Sequence, residues 1–224
     1  MTTKEKALER AALVATTGSI AYGLNHANSD LDQMGVFIAP TVEVAGLNWN
    51  THSESWTNTS PDGDDLTMHE VGKFLRLCLG GNPTLIELLF MNEYSILTGD
   101  GKEIVAIRDS IISERTLRKS YYGYAKSQFE RIRQDEDNFK HKMARHTLRI
   151  ARQGTSLISS GGFDVKVDNP QEYFDLTTLP FNEMLDVIKD ELNILDTCKS
   201  VIPEQPDREA VARLLESIRY ENLL

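Results

Sequence analysis

Only two cysteines occur in the 224 residues, Cys78 and Cys198. They form neither a C-x-x-C pair nor a zinc-ligand spacing. This excludes a disulfide-stapled scaffold and reads as reduced thiols in a cytoplasmic protein, with a single bridge between the two left open. No apolar run approaches about 18 residues, so no membrane span is expected. The opening M-T-T-K-E-K carries no apolar core of the kind a secretory leader has. Neither an internal repeat nor a low-complexity tract is present, which argues against solenoids and disordered tails. Basic charge is also in short supply, 24 Lys and Arg against 34 Asp and Glu for a net charge of −10. A general nucleic-acid binder has the opposite balance. What remains, with 40% hydrophobic residues, is enough to bury a substantial core in one large domain or two smaller ones.

The most informative stretch runs from Gly18 to Asp32, G-S-I-A-Y-G-L-N-H-A-N-S-D-L-D. An apolar run, Ala11 to Ala15, leads into it, and Leu31 to Ile38 follows with strand-forming Val36, Phe37 and Ile38. If Asp30, Leu31 and Asp32 are extended, both carboxylates share one face and Leu31 points into the core. Two acids so placed can bridge a pair of hard cations, which take oxygen ligands. Gly18 lets backbone approach a phosphate, and Ser19 offers a hydroxyl and an N–H to it. The competing reading makes Asp30 an Asx-turn residue and Asp32 a solvent-facing strand residue.

This Gly-Ser, short-helix, Asp-x-Asp order resembles the nucleotidyltransferase superfamily of DNA polymerase β. Three further runs, S-D-L-D-Q-M-G-V-F, D-D-L-T-M-H-E-V-G-K-F-L-R-L and G-N-P-T-L-I-E-L-L, are similar to its RNA ligase-associated, RNA repair branch over roughly residues 14–160. The resemblance implies a third carboxylate on a neighbouring strand. Asp65 is favoured, because in D-L-T-M-H the residues Asp65, Thr67 and His69 share one face while Leu66 and Met68 share the other. A register slip of one residue exchanges the faces, which keeps Asp64 and Glu70 open.

Other polar residues have structural readings of equal or greater weight. His69 reads as a hydrogen-bonded strand-end histidine, and His26 as a turn residue. Asn82 and Pro83 have the N-cap and first-turn preferences of a helix start. Lys73 and Arg76 lie one turn apart, either reaching phosphate or forming a solvated face. Glu87, in an apolar helix, requires a partner, most simply an ion pair.

Charge is unevenly spread. Residues 115–152 carry eleven Lys or Arg against four Asp or Glu, a local balance of +7 in a chain of net −10. The segment has helical periodicity, and Lys142, His146 and Arg149 fall at i, i+4 and i+7 on one face. Such a face either binds triphosphate or RNA backbone or is simply solvated. The resemblance implies the first, since a Lys, His, Arg pattern is frequent in this helix among related proteins.

The expected fold is α+β: a small mixed-sheet catalytic domain over residues 1–98, then a helical domain over 99–224 that closes the nucleotide cleft. Helices are expected near 71–79, 83–90, 101–109, 113–134, 138–160, 181–198 and 206–222, the last capped by Asp207, with Gly161 and Gly162 ending the long basic helix. The region from there to Pro180 reads as a loop or short strand pair. Val42 to Gly63 reads as a polar loop whose Trp49 and Trp56 either stack on a base or pack in the core.

The implied activity is transfer of a nucleotide from a nucleoside triphosphate to an acceptor hydroxyl. Asp30, Asp32 and Asp65 would hold two Mg²⁺ or Mn²⁺ ions, and Gly18, Ser19, Lys73, Lys142, His146 and Arg149 would bind the nucleotide. RNA with a tRNA-like end is the implied acceptor, a protein or small molecule the alternative. A non-catalytic nucleotide- or RNA-binding partner module and an acidic helical adaptor are the readings from other classes.

Overall fold

The computed structural model describes residues 7–50, 53–60, 64–136 and 138–224. The apolar run of the N-terminal region forms β1 (Ala11–Thr16), buried on both faces, which is the burial a central strand demands. It pairs antiparallel with β2 (Asp32–Phe37). The polar S-W-T-N-T segment forms β3 (Ser55–Thr59), an edge strand lying antiparallel to β4 (Asp65–Glu70). β4 in turn runs parallel to β2, and a two-residue strand β5 (Ile96–Leu97) pairs with β1 on the other side. The sheet is therefore mixed and five-stranded, in the order β3-β4-β2-β1-β5, and with its helices it makes the fold α+β, as the sequence predicts.

Helices cover this sheet where the apolar period changes from 2 to 3.6. A short helix α1 (Gly18–Tyr22) follows β1, and α2 (Thr41–Val44) follows β2. α3 (Val71–Leu79) continues directly from β4 and buries Val71, Phe74, Leu75 and Cys78, the i, i+3, i+4, i+7 stripe of an amphipathic helix. α4 (Pro83–Leu88) starts at the proline, α5 (Gly99–Ala106) is capped by Thr98 Oγ1, which accepts from Gly101 N, and α6 (Arg108–Ile111) follows.

Beyond this point the chain is helical. α7 (Glu114–Leu117) passes through a π-helical turn at Arg118–Tyr122 into α8 (Gly123–Gln134), where the sequence predicts one uninterrupted helix. α9 (His141–Ser160) is the longest element and ends at Gly161, whose φ of 81° and N–H to Leu157 O make the left-handed cap. Residues 162–180, expected to be loop or strand, contain a helix instead, α10 (Pro170–Leu176). Its start signal is Pro170 at the first helical position, which fixes φ where the N–H needs no partner. α11 (Phe181–Thr197) and α12 (Arg208–Glu221) complete the chain, with Asp207 accepting from Ala210 N as the cap of α12.

Two compact units emerge. The first comprises Met1–Leu79, Thr84–Ile111 and Asp207–Leu224 and holds the sheet; the second comprises Gly80–Pro83 and Ile112–Pro206 and is helical. α12 thus returns to the sheet-bearing unit. There Arg219 reaches Glu70 Oε1 at 2.7 Å, a largely buried ion pair, and the Thr41 hydroxyl donates to Arg219 O at 2.6 Å. In the helical unit, Arg118 donates to the carbonyls of Leu195, Asp196 and Cys198 at the end of α11. Both cysteines are free thiols. Among the described residues, no helix is long and apolar enough to cross a membrane.

Candidate active site

The end of β1 and the start of β2 are tied at Thr17, whose N–H donates to Asp32 O at 2.8 Å. Gly18 then turns the chain into α1 with φ of +67°, a conformation that L side chains rarely adopt. A β-carbon at Gly18 would land on the Asp32 carboxylate, so glycine is required for room as well as for backbone. α1 is held in turn by Tyr22, whose hydroxyl donates to Glu87 Oε2 at 2.8 Å. Glu87 is fully buried on α4, and this phenol is one partner of the acid for which the sequence suggests an ion pair.

The parallel register of β2 and β4 sets Asp32 opposite Asp65. Aligned residues of a parallel pair carry their side chains on the same face, so two carboxylates sit side by side, next to Gly18. Asp65 Oδ1 is buried and accepts no hydrogen bond. Burying such an atom unpaired costs about 1–3 kcal/mol. An orphaned hard oxygen beside a second carboxylate suits a hard divalent cation, the group the sequence leads one to expect. The pair is only part of the expected ligand set. Asp30 is exposed and lies just before β2, and among the described residues no three His, Cys, Asp or Glu side chains are gathered closely enough to hold a metal ion. Leu31 corrects the expectation of a core-facing residue: it is 37% exposed, because the strand alternation begins only at Asp32.

The rivals of Asp65 are occupied elsewhere. Glu70, 2% exposed, pairs with Arg219 and accepts from Gly72 N at 2.7 Å. Asp64 Oδ1 accepts from the backbone N–H of Leu31 at 2.7 Å. His69 Nδ1 lies 2.7 Å from Ser55 Oγ, the hydrogen-bonded strand histidine expected, and its pKa is lowered by burial and by the neighbouring Lys73 ammonium. Arg76 pairs with Glu54 at 2.5 Å. His26 is a turn residue, its Nδ1 accepting from Asn28 N at 3.2 Å. Trp49 and Trp56 pack against the sheet core, the structural of their two readings; residues 51–52 and 61–63 of that predicted loop lie outside the described residues.

In the helical unit, α9 carries the predicted basic face. Lys142 is exposed, His146 half-buried, and Arg149 only 2% exposed. Arg149 donates to His146 Nδ1 at 3.2 Å, which makes Nε2 the protonated ring nitrogen, placed to donate to the Tyr124 hydroxyl at 3.0 Å. Burial, reinforced by Arg149 and Lys142, pushes the His146 pKa down to about 4. The ring is therefore neutral at physiological pH and acts as an acceptor for Arg149. A polar cavity of about 490 Å³ opens beside Arg149, with Gln153, Phe163 and Tyr173 in its wall.

Nucleotide-binding candidates are thus divided between the two units: Gly18, Ser19 and Lys73 stand in the first with the carboxylates, and Lys142, His146 and Arg149 in the second. Tyr124, the Tyr22–Glu87 contact and the contact of Asp64 with Leu31 are supporting features that the sequence reading missed. Only Glu87 signalled itself, as a charge in an apolar helix.

A family model described as the RNA repair pathway DNA polymerase beta family matches residues 3–199. No curated protein matches the chain.

Proposed function

Because the chain belongs to the RNA repair pathway DNA polymerase beta family, a nucleotidyltransferase family, we propose that it transfers a nucleoside monophosphate from a nucleoside triphosphate to an acceptor hydroxyl, on RNA. The observation that carries this reading is the pairing of Asp32 with Asp65 across parallel strands, with Asp65 Oδ1 left without a hydrogen bond and Gly18 opening space at Asp32.

In this reading Asp32 and Asp65, with Asp30 ahead of the strand, would hold two Mg²⁺ or Mn²⁺ ions. Such ions, when bound, supply charge neutralisation at the triphosphate and a lowered pKa for the acceptor hydroxyl. Gly18 and Ser19 orient the phosphates, an effect on positioning rather than on chemistry. The acceptor oxygen forms its bond to the α-phosphorus as the bond to pyrophosphate breaks, and Asp65 takes the hydroxyl proton. Lys73 on α3 in the sheet-bearing unit, and Lys142 and Arg149 on the α9 face of the helical unit, carry the positive charge that phosphate groups attract. Neutral His146 directs the Arg149 guanidinium instead of competing with it for the anion.

The test is transfer of label from each α-labelled nucleoside triphosphate with Mg²⁺ or Mn²⁺, offering RNA, protein extract and small-molecule extract separately. Label entering RNA, and none with the Asp32→Asn variant, is expected. Label entering protein or a small molecule alone would overturn the acceptor assignment. Metal-dependent nucleotide binding without transfer to any acceptor would make the chain a binding module.

A further inference from the structure

Leu31 stands between the two carboxylates of the Asp-x-Asp pair and is 37% exposed, so it is not anchored in the core. Its backbone is fixed from one place. Asp64 Oδ1 accepts from Leu31 N at 2.7 Å, and Leu31 O accepts from Asp65 N at 3.1 Å. Asp64 is itself anchored twice to Ser60 at the end of the β3–β4 hairpin: its N–H donates to Ser60 Oγ at 3.1 Å, and its carbonyl accepts from Ser60 N at 2.7 Å. The carboxylate therefore joins the hairpin to the residue on which the parallel register of β2 against β4 begins. Register matters here because the side-chain period of a strand is two, so a slip of one residue would turn Asp32 and Asp65 to opposite faces.

Resting on the reading of Asp32 and Asp65 as the reactive carboxylates, we propose that Asp64 is a positioning residue. It clamps the Leu31 amide so that Asp32 and Asp65 stay aligned on one face, and it neither binds metal nor moves a proton. This assigns a role to the first acid of the Asp64–Asp65 pair, which the sequence leaves open as a rival of Asp65 for the third carboxylate. The chemistry separates the two roles. Accepting a hydrogen bond from an amide needs only an oxygen, which asparagine has, whereas cation binding or proton transfer needs the charge.

Three variants are compared: Asp64→Asn, Asp64→Leu and Asp32→Asn. Asp64→Asn is expected to keep kcat and Mn²⁺ affinity within about threefold of the parent, because its amide oxygen still accepts from Leu31. Asp64→Leu is expected to lose about 10- to 100-fold in kcat and about tenfold in Mn²⁺ affinity, with KM for the nucleotide nearly unchanged, as for loss of an orienting group behind a metal site. Hydrogen exchange at the Leu31 amide supplies a readout independent of turnover. It should be slow in the parent and in Asp64→Asn, and fast in Asp64→Leu. An Asp64→Asn variant as inactive as Asp32→Asn would show that Asp64 acts through its charge and would overturn the proposal. So would an Asp64→Leu variant with full activity. A parent that transfers no nucleotide would defeat the proposed function, whereas the clamp itself would stand or fall on Leu31 exchange alone.

Discussion

Asp32 and Asp65 owe their positions to backbone register, while His146 and Arg149 on α9 are held by contacts between side chains. On the sheet, the pairing of β2 with β4 fixes where two carboxylates point, and one of their oxygens is left without a protein partner. On the helix, Tyr124, His146 and Arg149 form a chain of hydrogen bonds that turns a buried cation toward a defined direction. The first arrangement leaves chemistry unsatisfied and available. The second satisfies its polar groups internally, so that a single substitution affects its neighbours. The proposed functional groups are thus separable from the fold on the sheet and coupled to it on the helix.

The largest effect is expected from the sheet carboxylates. Asp32→Asn or Asp65→Asn should lower transfer by at least about 1,000-fold, near 4 kcal/mol of transition-state stabilisation. The melting temperature should hold or rise, because asparagine keeps the side chain's shape and removes one of two adjacent negative charges. Unfolding well before the parent in a thermal scan would make the pair structural and erase the contrast.

Next comes Arg219→Ala, which strands the buried Glu70 carboxylate. A loss of about 3–5 kcal/mol is expected in urea unfolding, with much of it recovered by adding Glu70→Gln. Full stability of the single variant would show that the Arg219–Glu70 pair contributes nothing to the sheet-bearing unit.

A smaller effect concerns pH. The His146 pKa lies near 4 in the folded chain, below its ordinary 6.5, so the unfolded chain binds more protons between those values. Stability should therefore rise with pH from about 4 to about 6.5 and level off above, by roughly 3 kcal/mol at most. His146→Gln should remove that slope. Unfolding free energies measured at several pH values that keep it would assign the titration to another group. Smallest is Arg76→Ala, which breaks an exposed pair with Glu54 and should shift stability by no more than about 1 kcal/mol.

The legible parts of this molecule were those written in local pattern. The apolar run Ala11 to Ala15 and the alternation of D-L-T-M-H from Asp65 marked the segments that form β1 and β4, and residues 71–79 read as a helix. β3 was obscured because an edge strand can be polar, S-W-T-N-T. α10 was obscured by its shortness, although its proline marks the start. What no local pattern encodes is register and return. The choice among Asp64, Asp65 and Glu70 required knowing that Asp32 aligns with Asp65 and that Glu70 meets a residue 149 positions later. The contact of Asp64 with Leu31 spans 33 positions and is side chain to backbone, which leaves no trace in residue type.

The return of α12 also bears on the order in which the molecule is made. Glu70 leaves the ribosome long before Arg219 does, and at about 5–20 residues per second the interval is on the order of ten seconds. All of the helical unit is synthesised within that interval, between the body of the sheet unit and its last helix. The nascent chain can therefore finish its middle before its beginning, and until Arg219 emerges the Glu70 carboxylate is without this cation. At residue 206 every residue of the helical unit has been joined to the chain, whereas the sheet-bearing unit still lacks its last helix.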